Sequence, residues 1–171
     1  MQMVMRTLLV IIVALLALVL FAPKKELYYL LEQRLAKADI VLTDERIRET
    51  PLGLEIEHPT ILFKGAEVAQ IERVELTVAL LRNTLRIHKL HAAPGMERII
   101  PVSITVATAL YSPIRPRSIE LSLRGSFGEA RGSYDLARRL LHLEIVKEGD
   151  LDPLRPYLKK KNGRWIYEKR F

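Results

Sequence analysis

The stretch Ile71–Leu90, IERVELTVALLRNTLRIHKL, alternates apolar and polar residues almost without a break. Val74, Leu76, Val78 and Leu80 fall on every second position, with Arg73, Glu75 and Thr77 between them. A strand sends successive side chains to opposite faces, so this period predicts a strand with one apolar and one polar face. After the polar step Arg82-Asn83, Leu85 and Ile87 resume the alternation, which slips by one at Leu90.

The same period recurs from Ile40 onward. Ile40 and Leu42 open a strand, then Leu52, Leu54 and Ile56 share a face, with Gly53, Glu55 and Glu57 opposite. TILFK follows Pro59 and closes at Gly65, a turn residue. Ile100, Val102, Ile104 and Val106 read as one face of a further strand, and Pro101 near its start predicts an edge or a bulge. Ile119, Leu121 and Leu123 continue the series, as do Leu141, Leu143 and Ile145, then Trp165, Tyr167 and Phe171. These segments predict about eight to ten strands with short, antiparallel connections. Only Ala137–Leu140 and Asp150–Lys161 leave room for a helical turn, and Asp152-Pro153 and Arg155-Pro156 interrupt the latter.

A one-faced sheet needs cover for its apolar side. A barrel or sandwich supplies it internally, whereas an open sheet leaves a trough fit for an apolar ligand.

The chain begins differently. Thr7–Ala22 carries no charge, and a helix of that length rises about 24 Å, short of the roughly 30 Å hydrocarbon core. Met3–Arg6 makes up the difference, with Arg6 reaching for the headgroups. Cleavage after Ala22 would need a small residue where Leu20 stands, and Pro23 would follow the cut. Residues 1–22 therefore read as an uncleaved signal anchor, with Leu8, Ile11, Leu15 and Leu18 in the membrane. In residues 23–39, Leu27, Leu30, Leu31, Leu35 and Ala38 recur at helical spacing after Pro23. They predict a short amphipathic helix that caps the sheet or lies along the headgroups, Tyr28 and Tyr29 being placed for an interfacial belt. Residues 40–171 form the β-rich part. The fold class expected is mainly β: a transmembrane helix, a short amphipathic helix, then a curved, largely antiparallel sheet.

Arg6 is the only charge before residue 23, so +6 of the net charge of +7 belongs to residues 23–171. That excess suits anionic headgroups, nucleic acid or an acidic protein. Cysteine is absent, which excludes disulfides and thiolate metal sites. His88 and His91 are three apart, on opposite faces of a regular strand, and His58 and His142 stand alone. Asp44 and Glu45 are adjacent and, with Asp39, read as solvated turn residues. No nucleophile elbow, zinc motif or phosphate loop is present. GSFGEARGSYD lacks the following helix that a phosphate cradle needs, and predicts a hairpin. YLKKKNGRW places Lys159, Lys160 and Lys161 before an Asn-Gly turn: a solvated tip, or a contact for headgroups or a partner. No catalytic residue, metal, cofactor or nucleic-acid partner is expected.

AEVAQIERVELTVALLRNTLRIHKLHAA resembles the strand-hairpin unit of AsmA-like envelope proteins, including the GspN group of type II secretion, with Ile71, Val74, Leu76, Leu80, Leu81, Leu85, Ile87 and Leu90 on its apolar positions. LRGSFGEARGSYDLARRLLHLEI is similar to a second unit through Gly125, Gly132, Asp135 and Leu136. YLKKKNGRWIYEKRF resembles a closing strand. The resemblance implies a single-pass protein of a bacterial inner membrane, its domain periplasmic, offering an apolar groove to lipid acyl chains. Lys24, Lys25, Arg34 and Lys37 follow the span, against Arg6 before it, and a positive-inside count favours the opposite orientation. The periplasmic placement is the one adopted. Val74, Leu76, Val78, Val102, Ile104, Val106, Leu121 and Leu123 are the expected lipid-facing set. The alternative is a non-enzymatic assembly subunit of a secretion or related envelope machine, with envelope proteins as partners.

Overall fold

The computed structural model describes Tyr29, Gln33, Ala36 and residues 39–43, 46–98 and 101–171. Among these residues twelve strands form one antiparallel sheet. They are β1 (Ile40–Thr43), β2 (Arg46–Thr50), β3 (Gly53–Glu57), β4 (Thr60–Phe63), β5 (Ala66–Thr77) and β6 (Asn83–Ala92). The second half holds β7 (Ile104–Tyr111), β8 (Ser118–Gly125), β9 (Gly128–Asp135), β10 (Leu140–Glu148), β11 (Lys159–Lys161) and β12 (Arg164–Arg170).

The expected anchor, residues 1–22, lies outside the described residues. So does the expected amphipathic helix, apart from Tyr29, Gln33 and Ala36, which are helical, and Asp39, in a turn. Among the described residues no helix is long and apolar enough to cross a membrane.

The chain meanders from β3 to β10, each long strand beside the next. β4 and β3 are two pieces of one line and share the long β5, pairing with its first and last residues respectively. The break between them is at His58-Pro59. Proline has no N–H to give the ladder, and His58 adopts φ 54°. Two hydrogen bonds carry the pairing across: His58 N–H donates to Glu72 O at 2.9 Å, and Ile71 N–H to Pro59 O at 3.0 Å. Outside this line, β1 pairs with β4 and β2 with β3.

The last hairpin is inverted. β10 leads through Gly149–Leu158 to β11 at the sheet edge, and β12 returns between them. Asn162 (φ 50°) and Gly163 (φ 80°) make its two-residue turn, both left-handed as that turn demands. No strand pairs β1 to β11, so the sheet is open among the described residues.

The sequence predicted fewer strands because β2, β9 and β11 carry little alternation. RIRET has one apolar residue, GEARGSYD trades side chains for glycine, and β11 is three exposed lysines.

Four neighbouring lines of the sheet share one irregularity. Buried positions in β5 are odd before Glu72 (Ala69, Ile71), whereas Val74 and Leu76 after it pack on Leu54 and Ile56. The partner of Glu72 across the sheet is Lys89, whose φ of 46° accounts for the slip at Leu90. Thr105 sits beside it in β7, where the register with β8 shifts between Ile104 and Val106. His58 completes the line. Such bulges bend a strand and raise its twist.

Candidate apolar binding face

Register partners lie on the same face, so the faces can be followed strand by strand. Leu54, Leu76, Leu85, Ala109, Leu121, Gly132, Leu143 and Tyr167 are successive partners across eight strands. At about 4.8 Å per strand the stripe is roughly 34 Å wide. A parallel stripe runs Ile56, Val74, Ile87, Ala107, Leu123, Ala130, Ile145.

Among the described residues only the flanks of this face are packed. Leu54 and Ile56 form one small core with Leu42, Ile47, Val74 and Leu76. Phe127, Ala130, Ile145 and Leu151 form the other, joined by Ile104, Leu123, Leu154, Leu158 and Trp165. Between them Ile87, Ala107, Ala109 and Leu121 are half-buried and Leu85 is exposed.

The stretch between the cores is furrowed. β7 presents Ala107 and Ala109 between leucines and isoleucine of β6 and β8; β9 presents Ala130 and Gly132 between Leu121 and Leu123 of β8 and Leu143 and Ile145 of β10. Small side chains on alternate strands leave two channels along the strand direction. Gly132 cannot be enlarged, since an added Cβ would stand 1.9 Å from His142 O. The β9 furrow ends in an apolar cavity of about 330 Å³, lined by Val102, Leu123, Phe127, Ala130, Leu143, Ile145, Leu154, Tyr157, Leu158 and Tyr167. Its roof is the segment after β10, where the prolines start tight turns, including a 3-10 turn at Arg155–Tyr157, rather than keeping the chain off the sheet.

The opposite face is a lattice of charges. Glu55 is paired by Arg48 and by Arg73 (3.2 Å), Glu75 has Arg86 at 3.8 Å and His88 at 3.5 Å, and Arg124 meets Glu129 at 3.0 Å. His88 Nε2 is buried and has no hydrogen-bond partner among the described residues. On the bulge line, Lys89 Nζ is 2.6 Å from the Glu72 carboxylate, and this hydrogen bond holds the Glu72 carboxyl below the ordinary carboxylate range. Arg48 is held above its ordinary value, chiefly by its hydrogen bond to Glu55.

Of the expected lipid-facing set, Val74, Leu76, Ile104, Leu121 and Leu123 are on the apolar face, and Val102 lines the cavity. Val78 lies just past β5, its N–H donating to Leu52 O at 2.6 Å. Val106 requires a correction. It partners His88 and Arg124, on the charged face, because the bulge at Thr105 reverses the alternation that the sequence suggests. The slip at Lys89 likewise falls between His88 and His91, yet the described residues hold no cluster able to ligate a metal. Leu8, Ile11, Leu15 and Leu18 lie outside the described residues. Lys159, Lys160 and Lys161 form the exposed edge strand β11, with Lys160 Nζ 5.4 Å from the Trp165 ring centroid.

Sequence reading missed the furrow floor, since alanine and glycine carry no hydrophobic period. It also passed over the cavity roof: Leu151, Leu154 and Leu158 are spaced like one side of a turn, but stand among prolines.

Comparison with family models, curated proteins and solved structures finds no match. The geometry stands alone.

Proposed function

We propose that this chain is a non-enzymatic, membrane-anchored envelope protein of the AsmA-like kind, whose sheet lies in the periplasm and holds lipid acyl chains in its furrows. The observation that carries the reading is the apolar stretch that the described residues leave unfilled between two packed flanks on an open sheet. Alanine and glycine floors between leucine ridges make channels suited to a flexible hydrocarbon chain, and the cavity under Leu154 and Leu158 receives its end. Binding follows from burial at about 25 cal/mol per Å² of apolar surface, less the ordering of the chain. Among the described residues no charged group lies in the furrows to fix a headgroup, which favours passage over tight storage.

The test uses the full chain in its own membranes, with a photoreactive residue replacing Leu121 on the ridge or Ser122 behind it. Lipid adducts at 121 and none at 122 support the reading. Equal labelling, or none at 121, ends it.

The edge of the sheet favours a second reading. β11 pairs only with Arg164–Ile166 of β12, so the outer side of Tyr167–Arg170 has no strand beside it among the described residues. A strand of an envelope or secretion partner would fit there by edge addition. A stable complex that Tyr167→Pro dissolves, with no lipid adduct at 121, would favour it.

A further inference from the structure

The hairpin tips at one end of the sheet combine exposed apolar side chains with cations and are free of acidic residues. The end in question gathers the β2–β3 turn at Leu52, the β5–β6 turn at Val78–Arg82, the β7–β8 turn at Ser112–Arg117, the β9–β10 turn at Leu136–Arg139 and the end of β12. Each presents an exposed apolar side chain: Leu52, then Leu80 and Leu81 (62% exposed), Ile114 (72%), Leu136 and Phe171 (62%). From the second tip onward each adds exposed cations: Arg82, then Arg115 and Arg117, then Arg138 and Arg139, then Lys169 and Arg170. None of these segments contains an acidic residue. Arg115 reaches Glu120 at 3.3 Å and Arg138 reaches Asp135 at 3.9 Å, whereas Arg82, Arg117 and Arg139 have no carboxylate within ion-pair distance among the described residues. The opposite end carries cations too, at Lys64, Arg98, Arg155 and the Lys159–Lys161 hairpin, but sets Glu97, Asp150 and Asp152 among its turns.

The tips form one rim, each hydrogen-bonded to the next. Val78 N–H donates to Leu52 O, Ser112 Oγ to Leu81 O at 2.8 Å, Leu136 N–H to Arg117 O at 2.9 Å, and Phe171 N–H to Arg139 O at 2.9 Å. A rim tied this way presents its side chains without further ordering on contact. Just inside it, Tyr111 and Tyr134 stand at the rim ends of the two furrows, two residues beyond Ala109 and Gly132. Tyrosine at the border of an apolar channel and a cationic edge is the arrangement of a membrane interface.

We propose that this rim docks on an anionic bilayer surface, with Leu81 and Ile114 entering between headgroups, the arginines pairing with lipid phosphates, and the furrows opening onto the membrane between the tyrosines. Aliphatic tips are matched to hydrocarbon. A nucleic acid would call for aromatic stacking platforms instead. The contact stands on the rim's own chemistry; only its role as the mouth of the furrows rests on the acyl-chain reading above.

The absence of cysteine makes the test direct. Leu81→Cys, Ile114→Cys and, at the far end, Asn162→Cys each give the full chain one thiol for an environment-sensitive fluorophore. The labelled chains are reconstituted in vesicles of phosphatidylcholine, with or without phosphatidylglycerol, with a spin-labelled quencher lipid either in the host membrane or in added protein-free vesicles. Quenching at 81 and 114 at least about twofold stronger with phosphatidylglycerol, with none at 162, is expected; whichever membrane quenches is the one touched. Arg82→Glu with Arg117→Glu should abolish it. Emission at 81 and 114 that no quencher lipid reaches overturns the proposal, as does quenching indifferent to phosphatidylglycerol or to the charge reversal. Lipid adducts at 121 that persist without rim quenching would sink the rim alone; quenching without adducts would sink the furrows alone.

Discussion

Ile104 and Val106 are two residues apart on β7 and face opposite sides of the sheet: Ile104 packs with Phe127 and Ile145, and Val106 stands beside His88 and Arg124. The residue between them, Thr105, is the bulge. An aspartate at 104 would place an unpaired charge in the larger core. Ile104→Asp is expected to cost about 3 kcal/mol in urea unfolding, and Val106→Thr less than about 0.5 kcal/mol. Equal costs would mean the faces are not divided at Thr105.

Two glycines separate steric from conformational need. Gly132→Ala drives a Cβ into His142 O and should destabilise by about 2 to 4 kcal/mol, spreading the β9–β10 pair. Gly163→Ala meets open space but keeps φ 80°, so about 1 kcal/mol is expected. Thermal unfolding of both variants ranks them.

Phe127 closes the β8–β9 turn and is the largest of the buried side chains in its core. Phe127→Ala should lose about 3 to 4 kcal/mol and enlarge the adjoining cavity. The enlarged cavity is expected to bind a small apolar probe such as xenon or benzene, seen as shifts at Ile145 and Leu154 by NMR; no shift would place the lost volume elsewhere.

The Glu72–Lys89 pair sets a pH dependence. Its carboxyl titrates below the ordinary glutamate range when folded, so its contribution is present above that range and is lost as pH falls through the depressed value. NMR titration should find Glu72 low in the native chain and ordinary in Lys89→Gln, and the variant should lose less stability on acidification.

Much of this architecture is written in alternation. Leu54, Val74, Leu121 and Leu143 reach the face their period assigns, because a strand leaves a side chain only two directions. The slip at Leu90 was legible too, as the trace of Lys89. Thr105 was not: a bulge is fixed by what the neighbouring strand does, and Ile104-x-Val106 reads as regular β. The furrow floors at Ala107 and Gly132 were invisible for a different reason, being defined by what those residues lack. The rim escaped because its parts, Leu81, Ile114 and Arg139, are scattered over more than fifty residues and meet only through the meander.

The inverted closing hairpin has a consequence for the order in which the molecule is made. Strands up to β10 can zip onto their predecessors as they emerge, each pairing being local. The segment Gly149–Leu158 must then wait, since β11 has no neighbour until β12 has slipped between it and β10. Through that interval the cavity lacks Tyr167, and β10 offers a bare edge to any passing strand. β12 thus acts as a latch, and a copy stalled before it would carry an open seam where the completed sheet has a wall.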